Sequence, residues 1–255
     1  MQRLIKPVQV LALLIMMLWL HPVYASQSFE QVIGEAFGLK NNDLLYREFY
    51  CGAQNKMADS VIYESDDGAL IAFKTLDYNS GDTTPSFVQH NIQEQEKIAV
   101  TFDRQTLLMS VTTDNSKEDK KEYQTPGLDS VIVIDAGFDR FIQNNWDELI
   151  SGKTKSFLFP LVSRFSLVSL RVKTSACRYE TDSDQCFILE PSNWFFRMLA
   201  APIELGYDSK LIRLKRYRGL SNINDENGDG LIVDIKYQYQ APGVACRNQL
   251  TEYKS

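Results

Sequence analysis

Leu231-Ile-Val-Asp-Ile-Lys-Tyr-Gln-Tyr239 puts Leu231, Val233, Ile235, Tyr237 and Tyr239 on one side of an extended chain. Asp234, Lys236 and Gln238 fall on the other side, joined there by Ile232. Successive side chains of a strand point to opposite faces, so this stretch reads as a strand with one dry and one wet side. Shorter versions of the pattern run through 43–51, 60–64, 69–78, 97–103, 106–112, 167–174, 185–189, 203–207 and 210–218. Turn signals separate them: Asp66-Asp67-Gly68, Asp103-Arg104-Gln105, Asp208-Ser209-Lys210 and the run from Asp225 to Gly230. Short connections between alternating strands predict antiparallel hairpins rather than parallel βαβ units.

One segment switches period. Phe138, Phe141, Ile142, Trp146 and Leu149 are spaced as one face of a helix, predicting a main helix over about 137–151. Asp135 or Gly137 is its expected N-cap and Gly152 its C-cap. A short helix is expected over about 191–200, with Pro191 in its first turn and Pro202 beyond its end. Residues 130–134 (SVIVI) are either a strand or a buried lead-in, and the polar stretches 79–85 and 114–126 read as long hairpin loops. The expected fold is α+β and mainly β: one strongly curved antiparallel sheet or half-open barrel of roughly nine to eleven strands, with the main helix on its concave or open side.

The N-terminus sets the compartment. Arg3 and Lys6 precede an apolar run of 13 residues from Val8 to Leu20, and Val23-Tyr24-Ala25 precedes Ser26 as a small-residue cleavage site. That order predicts a secretory signal peptide over 1–25, cut after Ala25, and a single exported, periplasmic domain over 26–255. The run is too short for a membrane span, which needs roughly 20 residues. Loss of Arg3 and Lys6 takes the net charge from −6 to −8, which gives no general attraction for nucleic acid or anionic lipid. All four cysteines remain, and an even number in an exported chain predicts two disulfides. Cys177 and Cys186 flank a polar, turn-rich stretch, so the expected pairs are Cys177–Cys186 and Cys51–Cys246. No nucleotide cofactor is expected outside the cytoplasm.

Catalytic motifs are scarce. His21 leaves with the leader, and His90 stands alone in a polar segment read as a solvated loop. Asp225, Asn227 and Asp229 reproduce the first half of a calcium loop, but position 12 is Lys236 where a bidentate Glu belongs. The segment is thus a Gly-rich turn, with weak calcium binding as the alternative and no other cofactor expected. In 210–218 (KLIRLKRYR), the face carrying Ile212 and Leu214 continues into Arg216 and Arg218. Arginines on an apolar face need a carboxylate, for which Glu204 is placed, or an anionic ligand headgroup. Trp194, within an all-round apolar segment, is the candidate ligand platform; such a segment is expected to pack deeply or to cover an apolar cavity.

At Asp135–Trp146 (DAGFDRFIQNNW), Pro202–Tyr207 (PIELGY) and Arg216–Ile223 (RYRGLSNI), the chain resembles a group of uncharacterised exported proteins of Gram-negative proteobacteria. The resemblance implies a periplasmic setting and no assigned activity. The strand-rich layout with one central helix is also similar in architecture, without a shared motif, to the half-open barrel of periplasmic lipoprotein carriers. The leading functional expectation is a non-enzymatic periplasmic binding protein for an apolar or amphiphilic, lipid-like ligand. Its concave sheet would hold the apolar part, and Arg216 or Arg218 the polar head. The alternative is an envelope interaction or assembly protein without a ligand cavity, and the third reading is a carboxylate-dependent hydrolase.

Overall fold

Strands joined by short turns pair first with their neighbours in sequence, and here that rule holds along almost the entire chain. The computed structural model describes residues 31–52, 57–113, 118–125, 130–178, 184–198, 201–225 and 227–240. The first meander comprises β1 (Gln31–Gly38), β2 (Leu44–Cys51), β3 (Ser60–Ser65), β4 (Leu70–Asp77), β5 (Ser86–Asn91), β6 (Glu96–Phe102), β7 (Thr106–Thr113) and β8 (Asp119–Gln124). Helices α1 (Gly137–Asn144) and α2 (Trp146–Ile150) follow. The second meander comprises β9 (Lys155–Leu161), β10 (Ser166–Ser175), β11 (Gln185–Pro191), β12 (Ile203–Asp208), β13 (Arg213–Asn224) and β14 (Gly230–Gln240), with α3 (Trp194–Arg197) between β11 and β12.

The two meanders join at one seam. β14 pairs antiparallel with β1 over the whole of β1, from Gln31 opposite Gln240 to Gly38 opposite Val233. The result is one 14-stranded antiparallel sheet with β8 and β9 at its two edges. Its curvature is shown by side chains that meet across it. Gln89 on β5 donates to the Asn222 carbonyl on β13 at 3.2 Å, although five strands lie between them in the sheet. The Tyr123 hydroxyl on β8 donates to the Phe165 carbonyl just past β9 at 2.9 Å. Val100, Leu107 and Met109 from the first edge pack with Ile132, Ile134 and Val162 from the second. The edges therefore meet through side chains without a continuous backbone ladder, which makes the sheet barrel-like and open.

Residues 130–134 are the buried lead-in. Val133 donates to the Leu158 carbonyl at 2.9 Å, and the Leu158 N–H bonds to the Val131 carbonyl at 2.8 Å, so the segment lies parallel along β9. The main helix forms where expected but breaks at Asn145, whose side-chain amide donates to the Phe141 carbonyl at 2.8 Å. Gly152 takes the left-handed conformation expected past the helix end, at φ 92°. The expected caps differ: Ala136 is the N-cap residue, while Asp135 is drawn away to Lys74. Gly137 is required sterically, because a Cβ there would stand 2.2 Å from the Thr83 carbonyl oxygen. Phe141, Ile142, Trp146 and Leu149 all enter the core inside the curved sheet. Trp146 packs edge-on against Phe187 and Tyr207, at 5.4 and 5.6 Å between ring centres.

Several expectations need correcting. The sheet has more strands than the nine to eleven expected. β8 lies within the stretch 114–126 read as loop, and β1, β5 and β9 carried no readable alternation. His90 is not in a loop but on β5, stacked on Phe73 at 4.4 Å. The short helix is a single turn, Trp194–Arg197, and Pro191 ends β11 instead of opening it. Most important, Arg216 and Arg218 do not share a face with Leu214. The register shifts between Gly206 and Tyr207, so that Gly206 faces Arg216 while Tyr207 faces Leu214. This bulge at Lys215 flips the alternation, and Tyr217 continues the inner face in place of the arginines.

Candidate functional site

The outer face of β11 to β14 carries the arginines. Arg216 binds Asp234 bidentately, with Nε donating to Oδ1 at 2.6 Å and Nη2 donating to Oδ2. Glu204, the expected partner, stands opposite Arg218 in the β12–β13 ladder and accepts from Arg178 at 3.2 Å. Arg218 lies between Glu204 and Asp234 in the strand register. Beside them the Cys177–Cys186 disulfide is formed as expected, with Cα atoms 5.2 Å apart. Cys51 is also disulfide-bonded; Cys246, its expected partner, lies outside the described residues, as does the leader with Ala25. Gly206, lacking a side chain, leaves a depression lined by Arg178, Arg216, Arg218 and Glu204, of about 30 Å³. At roughly 10–15 Å³ per water, that is room for a solvent molecule or two. This surface is a ladder of charge pairs on the outside of the sheet, and Trp194 is not among its lining residues.

The inner face is chemically richer than the sequence suggested. Glu48 on β2 is buried, and Oε2 accepts from the Tyr50 hydroxyl at 2.8 Å and the Tyr237 hydroxyl at 3.3 Å. Gly34 makes this approach fit, since a Cβ there would stand 2.9 Å from the Tyr237 ring and 3.1 Å from Glu48. Burial pushes the Glu48 carboxyl above the usual range, against the pull of the two phenols and of Lys74. Lys74 itself is buried on β4, paired with Asp135 at 2.7 Å and lying over the Phe87 ring at 5.1 Å. Asp139 on α1 accepts from the Tyr207 hydroxyl at 2.8 Å and from Gln143 at 2.8 Å, and burial raises its carboxyl as well. Gln89 donates to Asn91 at 2.7 Å, and Asn91 to Glu96 at 3.0 Å. Each of these groups is spent on holding the helices and strands together.

The acidic turn closes on itself. Asp225 Oδ1 accepts from the backbone N–H groups of Asn227 and Asp229, both at 2.9 Å. Those bonds, the one from Asp229 first, lower the Asp225 carboxyl below its ordinary value. Among the described residues, no group of three or more His, Cys, Asp and Glu is placed to hold a metal ion.

Among the described residues the most exposed apolar feature is α3 and the residue after it. Asn193 caps the helix, accepting from the Phe195 N–H at 2.9 Å. The described residues of the segment do not pack deeply: Trp194 is 66% exposed, Phe195 53%, Phe196 56% and Met198 75%. The three rings touch one another edge-on, at 6.1 and 5.9 Å. Arg197 folds back to donate to the Pro191 and Ser192 carbonyls, at 3.2 and 2.5 Å, which leaves the rings as the projecting surface. An apolar sequence pattern alone gives no sign that such a segment will point outward.

Fold and sites define an open, barrel-like antiparallel β-protein whose concave side is filled by its own helices. No protein-family model matches the sequence. No curated protein matches it either. Among solved structures it is similar to a β-barrel-like protein of a domain of unknown function, DUF1849, from Brucella abortus. That likeness is at 7% identity, over 85% of this chain and 98% of the other, with a TM-score of 0.39.

Proposed function

We propose that the mature chain is a non-enzymatic, exported envelope protein that works by contact through its surface, without a resident cofactor. The observation that carries this reading is a pair of opposites. The concave face, where a lipid-like ligand would lie, is occupied by Phe141, Ile142, Trp146 and Leu149 of the chain itself. Trp194, Phe195, Phe196 and Met198 meanwhile stand out from the sheet. Exposed apolar groups gathered in one place mark interaction surfaces more often than they mark anything else. The lipid-carrier reading would need a helix that swings out of the barrel, and the hydrolase reading would need Glu48 and Asp139 opened to solvent.

The test is contact mapping in envelope preparations from the source cells. A photo-reactive residue at Phe195 is expected to give covalent adducts, and one at Ile150 to give none. Equal adduct yield at both positions would sink the surface assignment. Stoichiometric lipid recovered by native mass spectrometry from gently purified protein would restore the carrier reading. N-terminal sequencing of the exported protein is expected to begin at Ser26.

A further inference from the structure

We infer that the partner of this surface is a lipid bilayer of zwitterionic character, on which the chain docks by the hairpin end that carries α3. The inference deepens the contact reading above and rests on it. Antiparallel alternation places the β1–β2, β5–β6, β11–β12 and β13–β14 connections at the same end of the sheet. Apolar groups accumulate there. Leu39 and Ile92 sit on two of these connections, and Leu220 and Ile232 pair on the outer face next to the last, all of them exposed. The planar target that such a rim of tips can meet at once is a membrane surface. Trp and Phe are also side chains that settle at the headgroup boundary.

Area and charge select the occupant. With aromatic side chains of about 150–250 Å² each, the exposed fractions on α3 and Met198 amount to roughly 500 Å², and Leu39, Ile92, Leu220 and Ile232 add to it at separate tips. A protein partner would have to supply a complementary pocket for each of these anchors, spread over several hairpin tips. Insertion into lipid needs no complementary pocket, only apolar side chains that project. Arg197, held to Pro191 and Ser192, does not interrupt the rings. At the described turns of the same end Asp43, Asp66, Asp67, Glu94, Asp225 and Asp229 outnumber Lys40 and Arg164, so this rim would repel an anionic bilayer and the lipid is zwitterionic.

Tryptophan fluorescence gives a direct readout. With the leader gone, the tryptophans are Trp146, which is buried, and Trp194, which is exposed. Added vesicles of phosphatidylethanolamine and phosphatidylcholine are expected to shift the emission of the mature chain to the blue. Brominated acyl chains are expected to quench it. The triple variant Phe195→Ser, Phe196→Ser, Met198→Ser keeps Trp194 as reporter. It is expected to lose roughly tenfold or more in vesicle affinity, in proportion to the apolar area removed, with an unchanged melting temperature because those side chains are exposed. Vesicles with added phosphatidylglycerol are expected to bind less well. No binding to any vesicle, with Phe195 adducts on a protein persisting, overturns the lipid assignment and leaves the contact reading standing. Concentration-dependent self-association abolished by the triple variant assigns the surface to a second copy and overturns the inference too. Binding only to anionic vesicles, unaffected by the variant, does the same.

Discussion

Glu48 shows how this interior handles a charge. The carboxylate is fully enclosed and accepts from two phenols, yet burial still raises it above the ordinary glutamate value of about 4.3. The folded protein therefore holds this proton at pH values where the unfolded chain has already released it. Stability from the group is greatest in acid and declines as pH rises from the ordinary carboxylate value through the folded one. Asp139 contributes with the same sign. Between the ordinary carboxylate value and the raised one, these two groups are expected to make the melting temperature fall with rising pH, while His90, held by burial below its ordinary value, acts with the opposite sign. Glu48→Gln keeps an acceptor for both tyrosines while removing the charge, and is expected to flatten that slope. A variant whose slope matches the parent would show that Glu48 is not the group responsible. Gly137 is a different kind of constraint, set by the Thr83 carbonyl at 2.2 Å from an added Cβ. Because the obstacle is backbone, Gly137→Ala is expected to cost about 1–3 kcal/mol in denaturant titrations, where helix propensity alone would predict a gain.

At the scale of elements, the lead-in and helices act as one plug pinned at both ends. Lys74 on β4 holds Asp135 before α1, and Trp146 anchors α2 against β11 and β12. Trp146→Ala is expected to cost about 3–5 kcal/mol in chemical unfolding, as a buried large side chain does. Lys74→Met leaves Asp135 partly buried without its cation and is expected to cost about 3 kcal/mol, much of it recovered when Asp135→Asn is added. A double-mutant cycle showing simple additivity would contradict that coupling. The elements legible in the sequence were those with one wet and one dry face, such as β14, or one apolar helical stripe, such as α1. β5 was not legible because its inward residues include Gln89 and Asn91, polar groups buried in a network. β8 was not legible because Lys120, Lys121 and Glu122 are exposed at the sheet edge, with no dry face to alternate. The arginine site was misplaced for a third reason: one extra residue at Lys215 inverts every face beyond it, and no local residue type announces the bulge. The surface role of α3 was hidden because an all-apolar turn reads the same whether it packs inward or projects.

On the scale of the whole molecule, the sheet has one seam and two edges, and they differ in kind. The seam joins β1 to β14, residues at opposite ends of the described chain, so its pairing closes nearly the longest loop available. It also lies at the middle of the sheet, with both meanders built outward from it. Each edge is managed separately. The 130–134 segment runs along β9, and β8 carries exposed lysines of the kind that deter edge-to-edge pairing. Among the described residues the Tyr123 bond to Phe165 and the small cluster around Met109 link the two edges. Local opening should therefore begin at β8 and reach β1 and β14 only with global unfolding. In native-state hydrogen exchange, amides of β8 are expected to open with free energies near zero to a few kcal/mol, and those of β1 and β14 near the global value of about 5–15 kcal/mol. Tyr123→Phe removes one edge bond, so it should lower overall stability by only about 1 kcal/mol while accelerating exchange in β8. Ala36→Asp puts an unpaired charge at the buried seam opposite Ile235, and is expected to cost several kcal/mol and to lower protection throughout the sheet. If exchange in β14 instead matched that in β8, the two meanders would be separable units and the seam a late, weak contact. A sheet whose stability is set at its centre can expose an apolar rim at its hairpin end without loosening its core, and that combination is what surface docking requires.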